Sequence, residues 1–588
     1  MILQALTSLY EALAPKGEVP KEGWSREKIS FALGIDENGD LLRITPLFKP
    51  GDMPKGKKKE EPQEMTVPAA VKRTSGAAAN FLWDNSSYIL GVSLKKGEDD
   101  AEREKQRNKD IKCFEACREL HHSMLDGMEY PAAKAVLNFL DKWEPQKAEE
   151  NNLVAQYAKE ILSGANMVFR FNGGYVHDDP QLASVWQKAN AKQKDNIGQC
   201  LVTGALDEIQ NTHPTIKGVQ GAQSSGAALV SFNASAFCSY NKEQNQNAPV
   251  GKYAAFAYTT ALNHLLADRK NVHRIGDAAV VCWAENADKQ YEDFAAEVFF
   301  GDNVDKSDEQ RLSALRTSLK LLADGLPCKE MDLDPDRKFY ILGLSPNAAR
   351  LAVRFFYCDS FGKIAGNIYK HHERLEIVRP SYDKFPILPL WKLLSATVNP
   401  NAKDKTPNAA MAGAVARAVF SGGRYPASLL ECTFLRIKAE RNITRERAAI
   451  IKAYYLRNPN EKCPKEVLTV SLNENSKNIP YTLGRLFSVY EEIQQAANPG
   501  INTTIKDRYF GSAAAMPATV FPILSNLAQK HLRKLSDAQR VYLDKKVMTL
   551  KSVLGEQYPA HMSLPEQGSF DLGYYHQTQD RYTKKEDK

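Results

Sequence analysis

Apolar residues recur at helical spacing from the first residues onward: Ile2, Leu3, Leu6, Leu9 and Leu13 share one face before Pro15 to Gly17 stops the pattern. A short amphipathic helix with a core-facing stripe is predicted. The period then falls to two. Ile29, Phe31 and Leu33 alternate with smaller residues, and Asn38-Gly39 separates them from Leu41-Leu42-Arg43-Ile44, which predicts a hairpin. A second hairpin is expected from Met167 to Val176, turning at Asn172-Gly173-Gly174. Further strands are expected at Ala228 to Phe232, Ala278 to Trp283 and Phe339 to Leu344, the last ending where Ser345 can cap a helix with Pro346 in its first turn. Between these, residues 50–66 are too polar to bury themselves and read as a mobile loop, while Ala101 to Leu140 carries a helical pattern.

Beyond Pro407 strand signals vanish, and small, helix-favouring residues dominate from Ala409 onward. Leu483, Leu486, Phe487, Tyr490 and Ile493 form one helical stripe, and Leu543, Val547, Leu550 and Leu554 form another. An antiparallel bundle follows, with a polar tail frayed after Tyr574. The fold class is therefore α+β: a mixed region over 1–400 with β-hairpins and sheet, divisible into two subdomains near 150–200, then an all-α bundle over 401–588.

A chain of 588 residues has room for several packed units. Its net charge of +7 matters only because it is concentrated: residues 401–466 hold 13 Lys and Arg against 6 Asp and Glu, so the rest is neutral overall. Such asymmetry points to a polyanionic partner. Nine cysteines without paired spacing suit a reducing compartment. No charged start precedes the first apolar residues and no apolar run suggests a membrane span, so a cytoplasmic protein is expected.

Catalytic chemistry is weakly signalled. Cys113, Cys117 and His121 fall on one face of a predicted helix with His122 beside them, but the spacing is not a recurrent zinc pattern and buried structural cysteines compete. His177-Asp178 has the core dipeptide of metal-dependent HD phosphohydrolases without recognisable further ligands; an acidic turn competes. No catalytic residue, metal or cofactor is assigned. KGVQGAQSSG, from Lys217 to Gly226, has the glycine content of a phosphate cradle without the Lys-Ser/Thr ending of a P-loop, and offers donors and acceptors on a backbone able to approach a ligand. A plain glycine-rich connection is the competing reading. The amide-rich stretch from Asn233 to Asn247 suits base edges or solvated turns. VKRTSG, followed by Asn80-Phe81-Leu82-Trp83, can grip phosphate and stack, or be strand core. Arg436, Lys438, Arg441, Arg445, Arg447, Lys452 and Arg457 suggest a phosphate track, with Arg441 and Arg445 sharing a helix face.

These segments together resemble the large subunits of type I-C CRISPR surveillance complexes, the Cascade of that subtype. The resemblance spans nearly the whole chain. It rests on ILQAL with GWSREKISFAL, VKRTSG with NFLWDNSSYILG, IKGVQGAQSSGAALVSFN with SYNKEQNQNAPV and YTTALNHLL, FYILGLSPNAARLAVRFF, and YTLGRLFSVYE.

The resemblance implies a non-catalytic subunit that reads the protospacer-adjacent motif, promotes duplex opening and R-loop formation, and presents DNA to a separate helicase-nuclease. Implied partners are guide CRISPR RNA, target DNA, backbone filament subunits, the 5′-handle-binding subunit and small helical subunits. Lys72, Arg73, Thr74, Ser75 and Asn80, with Lys217, Gln220, Gln223, Ser224 and Ser225, are the candidates for motif reading. Arg424, Arg436, Lys438, Arg441 and Arg445 are the candidates for displaced-strand phosphate contacts. Residues 467–588 are a segment that such relatives also make separately as a small subunit. The rivals are a metal-dependent nuclease or HD-type phosphohydrolase using His177 and Asp178, and a scaffold touching only proteins and guide RNA.

Overall fold

The computed structural model describes residues 1–50, 60–71, 73, 76–94, 100–191, 196–301, 309–383 and 385–582. The chain is α+β and forms two compact units, one comprising 10–212 and 232–261, the other 1–9, 213–231 and 262–588. The opening helix α1 (Ile2–Leu13) buries Leu6, Leu9 and Leu13 as its stripe predicts.

In the unit built mainly from 10–212, strands β1 (Trp24–Ile29), β2 (Phe31–Ile35), β3 (Leu41–Pro46), β4 (Phe48–Pro50), β5 (Glu60–Pro68), β6 (Trp83–Asn85), β7 (Asn166–Phe171) and β8 (Gly174–Tyr175) make two sheets. One has the order β3-β2-β7-β6, with β8 hairpinned onto β7; the other has the order β1-β5-β4. Strand alternation explains how both faces of the first sheet are covered. Phe31, Leu33, Met167 and Phe169 point into a core shared with α2 (Asp100–Leu125) and α3 (Pro131–Lys142), while Ala32 and Val168 point to Val67 and Trp83 on the other side. Both expected hairpins form, the second through the left-handed pair Asn172 and Gly173.

Two expectations are corrected here. The stretch read as a mobile loop runs into β5, whose residues 63–68 pair with all of β1, because Met65 and Val67 bury against the sheet. Residues 51–59 of that stretch lie outside the described residues. The helical pattern of 101–140 is two helices, broken at Gly127. Small strands β9 (Ile197–Gln199) and β10 (Leu206–Glu208) form a hairpin, and α4 (Lys252–Ala267) follows the amide-rich turn.

The other unit is organised on the antiparallel meander β11 (His273–Ile275), β12 (Ala278–Ala284), β13 (Lys338–Asn347) and β14 (Arg350–Ser360). The expected helix after Ser345 is absent. Strand β13 runs through Pro346 to Asn347 and turns at left-handed Ala348 into β14, placing Pro346 at a strand end, where a missing N–H does least harm. Nor is there a strand at Ala228 to Phe232: only Ala228 pairs, as a single bridge with Arg350, and Leu229, Val230 and Phe232 stay half-exposed.

Helices α5 (Glu309–Ala323), α6 (Phe361–Leu375), α7 (Ala409–Ser421), α8 (Ala427–Glu440), α9 (Arg445–Arg457), α10 (Ile479–Ala497), α11 (Ile505–Ala515), α12 (Pro517–Leu532), α13 (Asp537–Lys551) and α14 (Leu564–Tyr582) are the longer helices of this unit. Their buried residues and those of the meander form one continuous core from Ile275 to Tyr575. The division expected near residue 401 therefore falls inside a unit whose apolar interior is not interrupted there. The tail is not frayed at Tyr574: α14 continues to Tyr582, and Tyr575, His576 and Gln577 are buried, with Tyr481 and Arg485 of α10 bonding His576 and Gln577.

Candidate nucleic-acid interface

Ile216 and Ala227 exchange backbone hydrogen bonds of 2.8 and 2.9 Å, so the segment between them is a closed excursion. Three glycines give it its shape, each with positive φ, and a side chain on Gly226 would meet Thr215 at 2.8 Å. Its flanks are fastened to neighbouring elements. The Lys217 N–H donates to Asn263 Oδ1 of α4 (2.8 Å), whose Nδ2 donates to the Thr215 carbonyl (3.1 Å). Ala228, just past the loop, donates to the Ala349 carbonyl at the tip of the β13–β14 hairpin, and Gly221 lies against Pro346.

The fastening is done by backbone and by neighbours, so the loop's own side chains remain outward. Lys217, Gln220, Gln223, Ser224 and Ser225 are all exposed. Gln220 is also aimed: Arg274 of β11 donates to its Oε1 at 2.8 Å, leaving its amide NH2 without a partner among the described residues. Arg274 acts in turn on Asp404, which Thr406 holds below its ordinary pKa by hydrogen bonding, so exposed Lys403 and Lys405 belong to the same neighbourhood. Exposed Arg269 and Lys270 follow Leu266, which packs on Gly218. Sequence reasoning missed Asn263, Arg274 and the 347–350 turn, because no local motif joins segments that meet only in the folded chain.

The other predicted motif-reading segment is built differently. Lys72, Thr74 and Ser75 lie outside the described residues. The Arg73 guanidinium pairs with buried Asp84, its Nε donates to the Ala78 carbonyl (2.7 Å), and it stands 3.9 Å over the Tyr88 ring. Asn80 is buried and accepts from the Val71 N–H at 2.9 Å. These two side chains are thus spent on Val71, Ala78 and Asp84. Phe81 and Trp83 are core.

Residues 6–582 match the family described as CRISPR-associated protein (Cas_Csd1). The chain belongs to that family. No curated protein matches it. No helix among the described residues of this Cas_Csd1 member is long and apolar enough to cross a membrane.

The basic segment of this CRISPR-associated chain is divided between its surface and its interior. Helix α8 ends at Glu440 with Arg441 left-handed at its cap, and α9 starts at Arg445, so Arg441 and Arg445 do not share a helix face as expected. Arg445 is corrected as a phosphate candidate. It is 7% exposed and pairs with Asp383 at 3.0 Å, while also donating to the Phe385 and Pro386 carbonyls. Arg447 is likewise turned inward, onto Glu440 (2.6 Å), and Lys452 onto the Arg374 carbonyl (3.0 Å), where burial lowers its pKa to about 8. Arg436 is half-buried, 3.8 Å from Glu440. Arg424, Lys438 and Arg441 stay exposed and make no ion pair among the described residues.

Among the described residues no group of three or more His, Cys, Asp and Glu side chains is placed to hold a metal. In the Cas_Csd1 chain His121 is fully buried. Its Nδ1 donates to the Cys117 carbonyl (2.7 Å) and its Nε2 accepts from the Leu82 N–H (3.0 Å), so both nitrogens are engaged. His177 is 1% exposed, and its Nε2 lies 3.6 Å from Asp178. Burial lowers the pKa of His121 and His372 to about 4 and of His576 to about 3. These folded-state values lie below the unfolded value of about 6.5, so in that window the unfolded chain binds more protons and stability falls on acidification. Urea midpoints should therefore drop between pH 7 and pH 5. An unchanged midpoint would contradict this neutral burial.

Proposed function

We propose that this chain is a non-catalytic DNA-binding large subunit of an RNA-guided surveillance complex of type I-C. It checks the sequence flanking a target, favours opening of the adjacent duplex, and presents the opened DNA to a separate helicase-nuclease. Guide RNA pairing reads the target itself; the protein reads only the short motif beside it. The observation that carries this reading is the closed 217–226 loop, whose amide and hydroxyl side chains face outward while Asn263, Arg274 and the 349 carbonyl hold its base. Gln and Ser can pair with base edges, and Lys217 and the nearby cations can meet phosphates. Arg424, Lys438 and Arg441 supply sequence-independent contacts to a displaced strand.

The test is binding of target duplexes by the assembled complex, with matched and altered flanking motifs, across a salt series. Gln220→Ala with Gln223→Ala should abolish the preference for the matched motif, a loss of about 1–3 kcal/mol of discrimination for each base pairing removed. Replacing Arg424, Lys438 and Arg441 by glutamine should leave the preference intact and flatten the salt dependence, by roughly 0.9 in log–log slope for each duplex phosphate no longer neutralised and roughly 0.7 for each single-strand phosphate. Motif preference that survives the loop substitutions would refute the assignment of reading to this loop.

A further inference from the structure

Helices α5 and α6 and the segment 385–389 enclose a crevice that none of the functions above uses. It has an apolar compartment of about 60 Å³ and a polar one of about 370 Å³, which meet along Arg316, Leu319, His372, Pro386 and Ile387. Val298, Phe299, Leu312 and Leu315 wall the apolar side. An apolar wall beside a few convergent polar groups is the make-up of a ligand site.

The polar side carries charge that the protein leaves unanswered. Arg316 and Lys320 stand one turn apart on α5, exposed, and neither makes an ion pair among the described residues. Exposed Glu373 and Glu376 also line this compartment, and Arg445, which lines it too, is committed to Asp383. Between the compartments His372 has no hydrogen-bond partner among the described residues, and burial in the crevice holds it neutral, so it can donate or accept.

We infer that this crevice takes one unpaired nucleotide of a DNA strand, its base against the apolar wall and its phosphate on Arg316 and Lys320. Base and phosphate differ in polarity over a single nucleotide's length, as the two compartments do, and neutral His372 stands where base and sugar would meet. The inference rests on the DNA-binding reading of this chain and adds a place where the opened strand is held by a base as well as by charge.

The full-length chain is titrated with two single-stranded DNA hexamers, one carrying 2-aminopurine at its centre and one carrying an abasic site there. The first should bind at least tenfold more tightly, with its fluorescence quenched. Ile387→Trp, which fills the apolar compartment, should erase that difference, and Arg316→Ala with Lys320→Ala should weaken both hexamers about tenfold. Equal affinity of the two hexamers for the unaltered chain overturns the proposal, as does quenching that Ile387→Trp leaves unchanged. A glutamate-rich peptide that competes with neither hexamer supports it; one that displaces both at equal concentration overturns it in favour of a protein ligand. Motif preference of the complex is measured on the same variants and should be unaffected, so a failure at this crevice is distinguishable from a failure of the loop reading.

Discussion

Alanine at Gly484 or Gly573 should destabilise the chain by about 3 kcal/mol or more, the upper end of what overpacking produces. A Cβ on Gly484 of α10 would lie 2.0 Å from the Phe570 carbonyl oxygen of α14, and one on Gly573 would lie 2.1 Å from the Tyr481 oxygen. Backbone meets backbone at both points, so no rotamer change can relieve the overlap. The helices must separate, and Phe487, Phe570 and Tyr574, which pack ring against ring at 5.9–6.0 Å across this crossing, are drawn apart. Gly511→Ala is the control. It is also helical, yet an added Cβ meets nothing within 4 Å, so it should be neutral or stabilise by up to about 1 kcal/mol. Thermal and urea denaturation of the three variants decides the matter, and equal behaviour would mean the close crossing does not exist.

Arg445→Met should cost about 3 kcal/mol, the low end for breaking a buried pair, because it takes one of two cations from the Asp383 carboxylate. Phe385 and Pro386 would lose a charged donor at the same time, and Lys392, 3.2 Å from Asp383, would remain as its only ion-pair partner among the described residues. The same variant should leave the salt dependence of DNA binding unchanged. That pair of results separates a structural arginine from a strand-contacting one, whereas a stable protein with a flattened salt slope would restore Arg445 to the phosphate track.

Much of the architecture was legible because periodicity reports burial directly. The α1 stripe, both hairpins and the α10 stripe follow from residues that are buried in the fold. What was illegible depended on partners distant in sequence. The polar strand β5 is held by β1, and nothing within Glu60 to Pro68 announces that neighbour. Ser345-Pro346-Asn347 has the local chemistry of a helix start, but pairing with Arg350 to Ala352 overrides it. In the candidate site, composition pointed to the 217–226 loop yet could not say that Arg274 would aim Gln220. In the basic segment, counting charges could not reveal that Asp383 and Glu440 draw Arg445 and Arg447 inward, since Asp383 lies outside the counted stretch.

The mutual bonds between Ile216 and Ala227 have a consequence for how such a protein can change over generations. They close the excursion before any outward side chain contributes, so substitutions at 220, 223, 224 and 225 alter what is presented while leaving the scaffold's stability nearly untouched. On the reading proposed above, a lineage facing invaders that have lost an accepted flanking sequence would move to a new one by single exposed substitutions, without passing through a misfolded intermediate. On the same reading the loop is a cassette, and exchanging it at equal length between Ile216 and Ala227 would redirect recognition by design.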